Sequence, residues 1–330
     1  MLTRTIERVS SAATSVGFTM IVAALVLALV AAGPASACEP SAAPIDAPLA
    51  LVLSGGGSKG AWEAGVAAVL VERGVPIRVV AGSSAGALNA AMVADGRIDR
   101  LQALWRTITR EQVYALRPSV LVAGLLPGWL TLMTLNGAGA LFDPAPLRAL
   151  IAATVDFERI RASPVGLLVV TTDLARRERR LFDNRSVSVD ALMAAAAVPG
   201  AFPPVEIDGD LLMDGGLVGR APVLDALRAA PGVGRALVVM AYAPGEQGQR
   251  PTTMRRALEE AFEMAMIYQI RRDTELARLT HTAVDVQLLA PSAPLDLRPL
   301  EFDTANMARA LERGRADAAA CLERLAQRRP

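Results

Sequence analysis

The sequence predicts an α/β protein built on a mostly parallel, layered sheet. Apolar runs of strand length alternate with longer runs of helical character through most of the 330 residues. Two strand-to-helix connections, residues 55–60 and 82–86, are rich in glycine, which is typical of sharp turns at the edge of such a sheet. With 52% apolar residues, the chain can bury a sizeable core.

The first 37 residues resemble a targeting segment. Arg4 and Arg8 precede an apolar run over residues 16–32, and Ala35-Ser36-Ala37 has the A-x-A form of a cleavage site. Three interpretations stay open: an export signal cut before Cys38, a lipoprotein signal with Cys38 as the lipidated residue, or an uncleaved anchor near the lower length limit for a membrane span. All three predict an exported or membrane-associated protein.

Residues 38–48, rich in Pro, Ala and Ser, are predicted to form a flexible linker to a catalytic domain over residues 49–330. Short apolar runs in that domain predict strands at 49–54, 75–81, 165–171, 179–183, 211–213, 236–241 and 283–289. Longer runs predict helices at 61–72, 85–94, 99–107 (as a continuation of the helix before it), 189–197, 253–280 and 304–327.

Charge and cysteine content exclude several classes of protein. The net charge is +1, so nothing suggests a nucleic-acid partner. Two cysteines, Cys38 and Cys321, are too few for a disulfide framework. No cluster of His, Cys and acidic residues has the spacing of metal ligands, so we expect no metal or cofactor.

The first glycine loop contains Gly55, Gly56, Gly57, Ser58, Lys59 and Gly60. It matches G-x-G-x-x-G, but the next strand does not end in the acidic residue that a dinucleotide site needs. It also lacks the Gly-Lys-Ser/Thr order of a phosphate-binding loop. Backbone N–H groups at the start of a helix can instead receive an oxyanion during acyl transfer. The alternative is a tight turn without a ligand.

The second connection, Gly82-Ser83-Ser84-Ala85-Gly86, has the form G-x-S-x-G. A serine on a sharp strand-to-helix turn needs glycine on both sides, because side chains there would clash with the neighbouring strand or helix. Such a turn exposes the hydroxyl over the sheet edge, with the N–H groups and positive dipole of a helix beneath it. Ser84 is therefore the candidate nucleophile.

A nucleophilic serine needs a base, and the only histidine is His281. The order Ser84, Asp214, His281 matches the α/β-hydrolases. However, His281 precedes the predicted strand 283–289, which places it at the edge of a parallel sheet opposite to Ser84. We therefore interpret it as part of an ordinary helix-to-strand connection.

Asp214 is the favoured base because it follows the apolar run 211–213 and precedes Gly215 and Gly216. Asp-Gly-Gly alone is a weak signal, since a plain turn is the commoner explanation. Three other carboxylates are rivals but lie at predicted loop or hairpin positions: Asp173, Asp183 and Asp208.

In four blocks within residues 49–224, the chain resembles the patatin-like phospholipase family. The blocks are residues 55–65, 82–86, 194–204 (AAAAVPGAFPP) and 214–216. The resemblance implies a three-layer α/β/α fold and a Ser–Asp dyad without histidine. Ser84 would match the nucleophile, Asp214 the proton acceptor, and the loop 55–60 the oxyanion hole, with Lys59 where the family carries Arg or Lys.

The resemblance implies a hydrolase of lipid esters acting through an acyl-enzyme, with a lipid or membrane-surface substrate and no metal. Alternatives are a non-phospholipid esterase, a thioesterase or protease, or a non-catalytic binding protein on the same fold. The apolar segment 116–141, with Trp129, could be a lid that dips into lipid or a part of the core.

Overall fold

The computed structural model describes residues 38–39, 43–44, 46–123, 130, 139–246, 248 and 250–327. The predicted targeting segment, Trp129 and most of the apolar segment 116–141 lie outside these residues. In the described parts of the chain, no helix is both long and apolar enough to cross a membrane.

The fold is a sheet with helices on both faces. The strands are β1 Leu49–Leu53, β2 Ile77–Gly82, β3 Ala115–Leu116, β4 Phe142–Asp143, β5 Gly166–Asp173, β6 Glu178–Asp183, β7 Val205–Ile207, β8 Asp210–Asp214, β9 Arg235–Val239 and β10 Asp285–Leu289. The helices are α1 Gly60–Glu72, α2 Ala85–Asp95, α3 Ile98–Thr107, α4 Arg110–Val113, α5 Pro118–Ala123, α6 Ala145–Thr154, α7 Phe157–Ala162, α8 Val189–Ala195, α9 Val223–Ala229, α10 Met254–Thr280 and α11 Thr304–Gln327.

The main sheet has the strand order β10-β9-β1-β2-β5-β8-β7, with β6 also paired to β5. The strands from β10 to β5 are parallel, whereas β6, β7 and β8 enter in antiparallel pairs. This confirms the predicted α/β class with a mostly parallel sheet. It also confirms that the strand predicted at 179–183 is the hairpin partner of the strand before it.

Alternate residues of the buried strand β1 enter two different cores, as expected where helices cover both faces of a sheet. Leu49, Leu51 and Leu53 pack in the larger core, together with helices such as α1, α2 and α11. Ala50 and Val52 pack in the smaller one, beneath α9 and α10. The three layers follow directly from this alternation.

Most predicted elements lie within two residues of their observed positions, and the differences are local. The helix predicted to continue through 99–107 is a separate helix, because Gly96 adopts the left-handed conformation (φ 78°) and ends α2. Five of the described helices were not predicted: α4, α5, α6, α7 and α9. The last three are each preceded by proline or aspartate, at Pro144, Asp156 and Pro222, residues that also favour ordinary turns.

The beginning of the described chain is tied to the domain. Cys38 is buried and forms a disulfide with Cys321 of α11, so these two cysteines are paired even though they form no larger framework. Glu39 accepts a hydrogen bond from Leu288 N and forms an ion pair with Arg278. These contacts hold this part of the predicted flexible linker against β10.

Candidate active site

The turn after β2 has the geometry of a nucleophile elbow. Ser84 has φ 55° and ψ −135°, a conformation that non-glycine residues rarely adopt. A Cβ atom on Gly82 would lie 2.2 Å from the carbonyl oxygen of Gly86, and one on Gly86 would lie 2.2 Å from that of Leu53. Glycine is therefore required on both sides of the serine, as the motif predicts.

Strand register brings Asp214 to the level of Ser84. Gly82 of β2 pairs with Val169 of β5, and Thr171, two residues further along β5, pairs with Asp214 of β8. Ser84 also lies two residues beyond Gly82. Ser84 and Asp214 therefore come to the same level on opposite sides of β5. The antiparallel direction of β8 makes this possible, because its last residue returns toward the site instead of leaving the sheet.

The Asp214 carboxyl is fully buried, and burial raises its pKa. Arg220, the Gly216 N–H and the Ser84 hydroxyl each oppose that rise. Gly216 N donates a 2.8 Å hydrogen bond to Asp214 Oδ1. The Ser84 hydroxyl lies close enough to lower the pKa of Asp214, yet Asp214 Oδ2 has no hydrogen-bond partner of normal geometry among the described residues. One carboxylate oxygen is thus fixed by the backbone, and the other is free to accept a proton.

Backbone hydrogen bonds leave two candidate donors in the glycine loop. Four of its N–H groups already donate hydrogen bonds. Gly55 N donates to Glu63 Oε1, and Ser58 N donates to Pro299 O. Lys59 N donates to Gly56 O, and Gly60 N donates to Gly57 O. The N–H groups of Gly56 and Gly57 have no partner among the described residues. Both glycines have positive φ, 137° and 60°, so the loop is held in a conformation that favours glycine.

Glu63 of α1 fixes the start of this loop. Its Oε1 accepts hydrogen bonds from Gly55 N at 2.8 Å and from the Ser54 hydroxyl at 3.1 Å. Complete burial raises the pKa of Glu63 to about 7, against the lowering effects of Gly55, Arg220 and Ser54. Sequence reasoning missed this residue, although Glu63 is the one charged residue in an otherwise apolar helical run from 61 to 71.

The Lys59 side chain contacts an aromatic ring and two carboxylates. Its ammonium lies 4.1 Å from the centre of the Tyr242 ring, 3.6 Å from Glu263 Oε2 and 3.9 Å from Glu246 Oε1, and the residue is buried. These contacts indicate a structural role for the Lys59 side chain. Its charge is balanced by two carboxylates and the face of an aromatic ring.

The other carboxylates and the histidine lie away from the serine or are otherwise engaged. Asp173 pairs with Arg176, Asp208 with Arg180, and Asp183 caps the turn that follows β6. His281 is the C-cap of α10 and precedes β10, so it lies at the opposite edge of the parallel strands from Ser84. Its Nδ1 is 2.9 Å from the Thr280 hydroxyl, on the surface.

An apolar cavity of about 100 Å³ opens beside Ser84 and Gly57. Most of its walls come from α2, α3 and α6. The lining residues include Leu88, Met92, Leu101, Trp105, Leu147 and Phe302. Its polar lining residues other than Ser84 are Asn89 and Thr154, whose side chains are hydrogen-bonded within the protein. The cavity is therefore suited to a hydrocarbon chain.

The sequence model of the family described as patatin-like phospholipase matches residues 51–227, more than half of the chain. The chain belongs to the patatin-like phospholipase family. Membership confirms the family predicted from the motifs and supports the predicted enzyme class, a hydrolase of ester bonds.

Relatives match a little over half of the chain. An uncharacterised NTE family protein of Mycobacterium tuberculosis is 31% identical over 176 residues, which are 53% of this chain and 44% of the relative. A patatin-like phospholipase domain-containing protein of Caenorhabditis elegans is 30% identical over 184 residues, 54% of this chain and 12% of the relative. The chain thus spans less than half the length of either protein.

Among solved structures, VipD from Legionella pneumophila aligns with a TM-score of 0.46 and 15% identity. The alignment covers 87% of this chain and 70% of VipD.

Proposed function

We propose that this patatin-like chain is a serine hydrolase that cleaves carboxylic esters of phospholipids or related lipids. The observation that carries the proposal is that Ser84 and Asp214 lie at one level on either side of β5, with Ser84 lining an apolar cavity. Ser84 is the proposed nucleophile and Asp214 its base. The nearly buried serine and the fully buried carboxyl are shielded from bulk water, which strengthens their interaction.

In the proposed reaction, Asp214 Oδ2 accepts the hydroxyl proton as Ser84 Oγ bonds to the ester carbonyl carbon. The N–H groups of Gly56 and Gly57 donate to the oxyanion that develops. Asp214 then gives the proton to the leaving alcohol oxygen as its bond to carbon breaks, and an acyl-enzyme remains. Water attacks the acyl-enzyme in the same way and releases the fatty acid and the free serine.

The cavity is proposed to hold the acyl chain. Ala85, Leu88 and Met92 lie along one face of α2 and line the cavity. Met92 follows Ser84 by eight residues, which corresponds to about 12 Å along a helix. A bulky side chain at Met92 should therefore obstruct long acyl chains while leaving short ones room near the serine.

The test is hydrolysis of phosphatidylcholine vesicles, p-nitrophenyl butyrate, p-nitrophenyl palmitate and palmitoyl-coenzyme A by wild type and S84A. We expect fatty acid release from the vesicles by wild type and none by S84A. In M92W, turnover of palmitate relative to butyrate should fall about tenfold. The control M254W, at an exposed methionine, should leave this ratio unchanged. Cleavage of the thioester or the simple esters without the phospholipid would favour the alternative esterase or thioesterase.

We also propose that the protein is exported. The Cys38–Cys321 disulfide supports this, because structural disulfides persist mainly in oxidising compartments. A thiol in a disulfide cannot also carry a thioether-linked lipid, so the pairing favours a cleaved signal or an anchor over a lipoprotein. Mass spectrometry of the protein from fractionated cells tests this: an oxidised 38–321 pair outside the cytoplasm is expected, and a lipidated Cys38 would contradict it.

A further inference from the structure

We propose that Arg220 is a positioning residue that keeps Asp214 in its ionised, proton-accepting form. The inference rests on the proposed role of Asp214 as the base for Ser84. Arg220 lies six residues after Asp214, beyond the Gly215–Leu217 turn, in the sequence Leu-Val-Gly-Arg-Ala-Pro-Val. Sequence reasoning missed it, although a single cation in such an apolar stretch is unusual.

The guanidinium of Arg220 lies directly against the turn that carries Asp214. Its Nη1 is 3.9 Å from Asp214 Oδ1. A Cβ atom on Gly216 would lie 2.7 Å from the same Nη1, so the second glycine of Asp-Gly-Gly provides the space that the guanidinium fills. The other terminal nitrogen, Nη2, is 3.9 Å from the position of a Cβ on Gly56. Arg220 thus lies between the base and the oxyanion loop.

Burying the Arg220 cation reduces the stability of the folded protein, so stability alone does not explain why an arginine is present here. Arg220 is 2% exposed, and in the part of the chain that the structure describes its Nε has no hydrogen-bond partner. A buried charge without full hydrogen bonding destabilises a protein, and an apolar side chain of similar size is often better tolerated. A long cation retained beside a buried carboxylate is instead what is needed to hold a proton off that carboxylate.

Among the described residues, Arg220 also lowers the pKa of Glu63 and of Tyr242, against the stronger effect of their burial. Glu63 comes from α1, and Tyr242 follows β9; both are fully buried. Tyr242 is in turn affected by Glu246 and Glu263, which pair with Lys59. Since burial raises the pKa of Glu63 to about 7, that side chain is neutral below pH 7. Under those conditions, Asp214 is the carboxylate that Arg220 stabilises.

The experiment measures the rate at which an alkyl fluorophosphonate labels Ser84 between pH 4 and 9. In this reaction the Oγ–P bond forms, the P–F bond breaks, fluoride leaves and Asp214 takes the hydroxyl proton, so no lipid substrate is required. Loss of the nearby cation should raise the midpoint of the acid limb in R220Q by about one to three pH units. R220K, with its charge farther from Oδ1, should shift the midpoint in the same direction by less.

R235Q is a matched control, because Arg235 is also 2% exposed but lies at the start of β9, at the opposite edge of the sheet. It should lose stability and keep the wild-type midpoint. Because Glu63 titrates in the same range, the comparison is repeated in an E63Q background, where the R220Q shift should persist. Labelling rates are normalised to the folded fraction of each variant. If R220Q does not fold, the midpoint of R220K relative to wild type tests the proposal.

A midpoint that is the same in wild type, R220K and R220Q would overturn the role of Arg220 and leave the proposed lipid hydrolysis standing. Labelling with the expected shifts, but no hydrolysis of any ester, would support Arg220 and contradict the proposed function. A wild-type Ser84 that does not react at all would refute both.

Discussion

Replacing Glu63 by glutamine should change how the stability of the fold depends on pH. The folded-state pKa of Glu63 is about 7, against 4.5 for the exposed group, because the carboxyl is completely buried in α1. The folded protein therefore binds a proton that the unfolded chain has already released between these two values. The protonated Glu63 carboxyl makes its full contribution to the unfolding free energy below pH 4.5. This contribution decreases as pH rises toward 7, and above pH 7 the unfolding free energy no longer depends on this group.

The size of this effect follows from the shift. A difference of about 2.5 pKa units, at about 1.4 kcal/mol per unit, corresponds to roughly 3 kcal/mol of unfolding free energy. Glutamine has nearly the same shape, and its amide oxygen can still accept the Gly55 N–H, but it does not titrate. The unfolding free energy of E63Q relative to wild type should thus rise by up to about 3 kcal/mol between pH 4.5 and 7.5.

Urea denaturation of both proteins across this pH range measures the difference. Glu72 is a matched control in the same helix, because its ion pair with Arg315 lowers its pKa. E72Q should therefore lose stability relative to wild type as pH rises from about 3 toward 4.5, the opposite direction to E63Q, and should change little between pH 4.5 and 7.5, so its series is extended to the lower pH. If the difference in unfolding free energy between E63Q and wild type stays constant from pH 4.5 to 7.5, the reasoning on Glu63 is refuted.

Two further predictions concern the disulfide and the oxyanion loop. C38S and C321S should each lower the unfolding free energy by about 2–5 kcal/mol, with no further loss in the double variant; equal melting temperatures for wild type under oxidising and reducing conditions would contradict this. G57A should reduce ester turnover at least about a hundredfold, because the new Cβ would lie 1.8 Å from Pro299 O and displace an oxyanion donor. G200A, also at positive φ but in open space, is its control and should keep its activity, whereas equal losses in the two variants would argue against the loop.

Much of the architecture could be predicted from the sequence because local signals and tertiary structure agree. Strand β1 is a short buried run that ends two residues before Gly55, and α1 and α2 follow glycine-rich turns. The pairing of β8 could not be read this way. Its apolar run is short, and nothing local specifies that it lies antiparallel to β5, the arrangement that returns Asp214 to the level of Ser84.

The motifs of the candidate site could be predicted from the sequence, but the buried charged residues around them could not. Ser84 and Asp214 stand in recognisable patterns. Glu63 and Arg220 are both buried, and they interact electrostatically although they lie far apart in the sequence. The contacts of Lys59 also depended on the structure, because the sequence placed this residue in the oxyanion loop without predicting that its ammonium pairs with Glu263 of α10. The sequence signal for Glu63 and Arg220 was a single charge within an apolar run. The groups with which these charges interact could not be inferred without the fold.

Turnover of p-nitrophenyl butyrate by D214N and H281A tests the central claim, that a carboxylate without imidazole activates Ser84. Asparagine preserves the size of the side chain and removes the proton acceptor, so kcat of D214N should fall on the order of a thousandfold. H281A, altered at the opposite edge of the sheet, should remain within about twofold of wild type. A D214N enzyme that retains its activity, or an H281A enzyme that loses it while folded, would contradict the assignment.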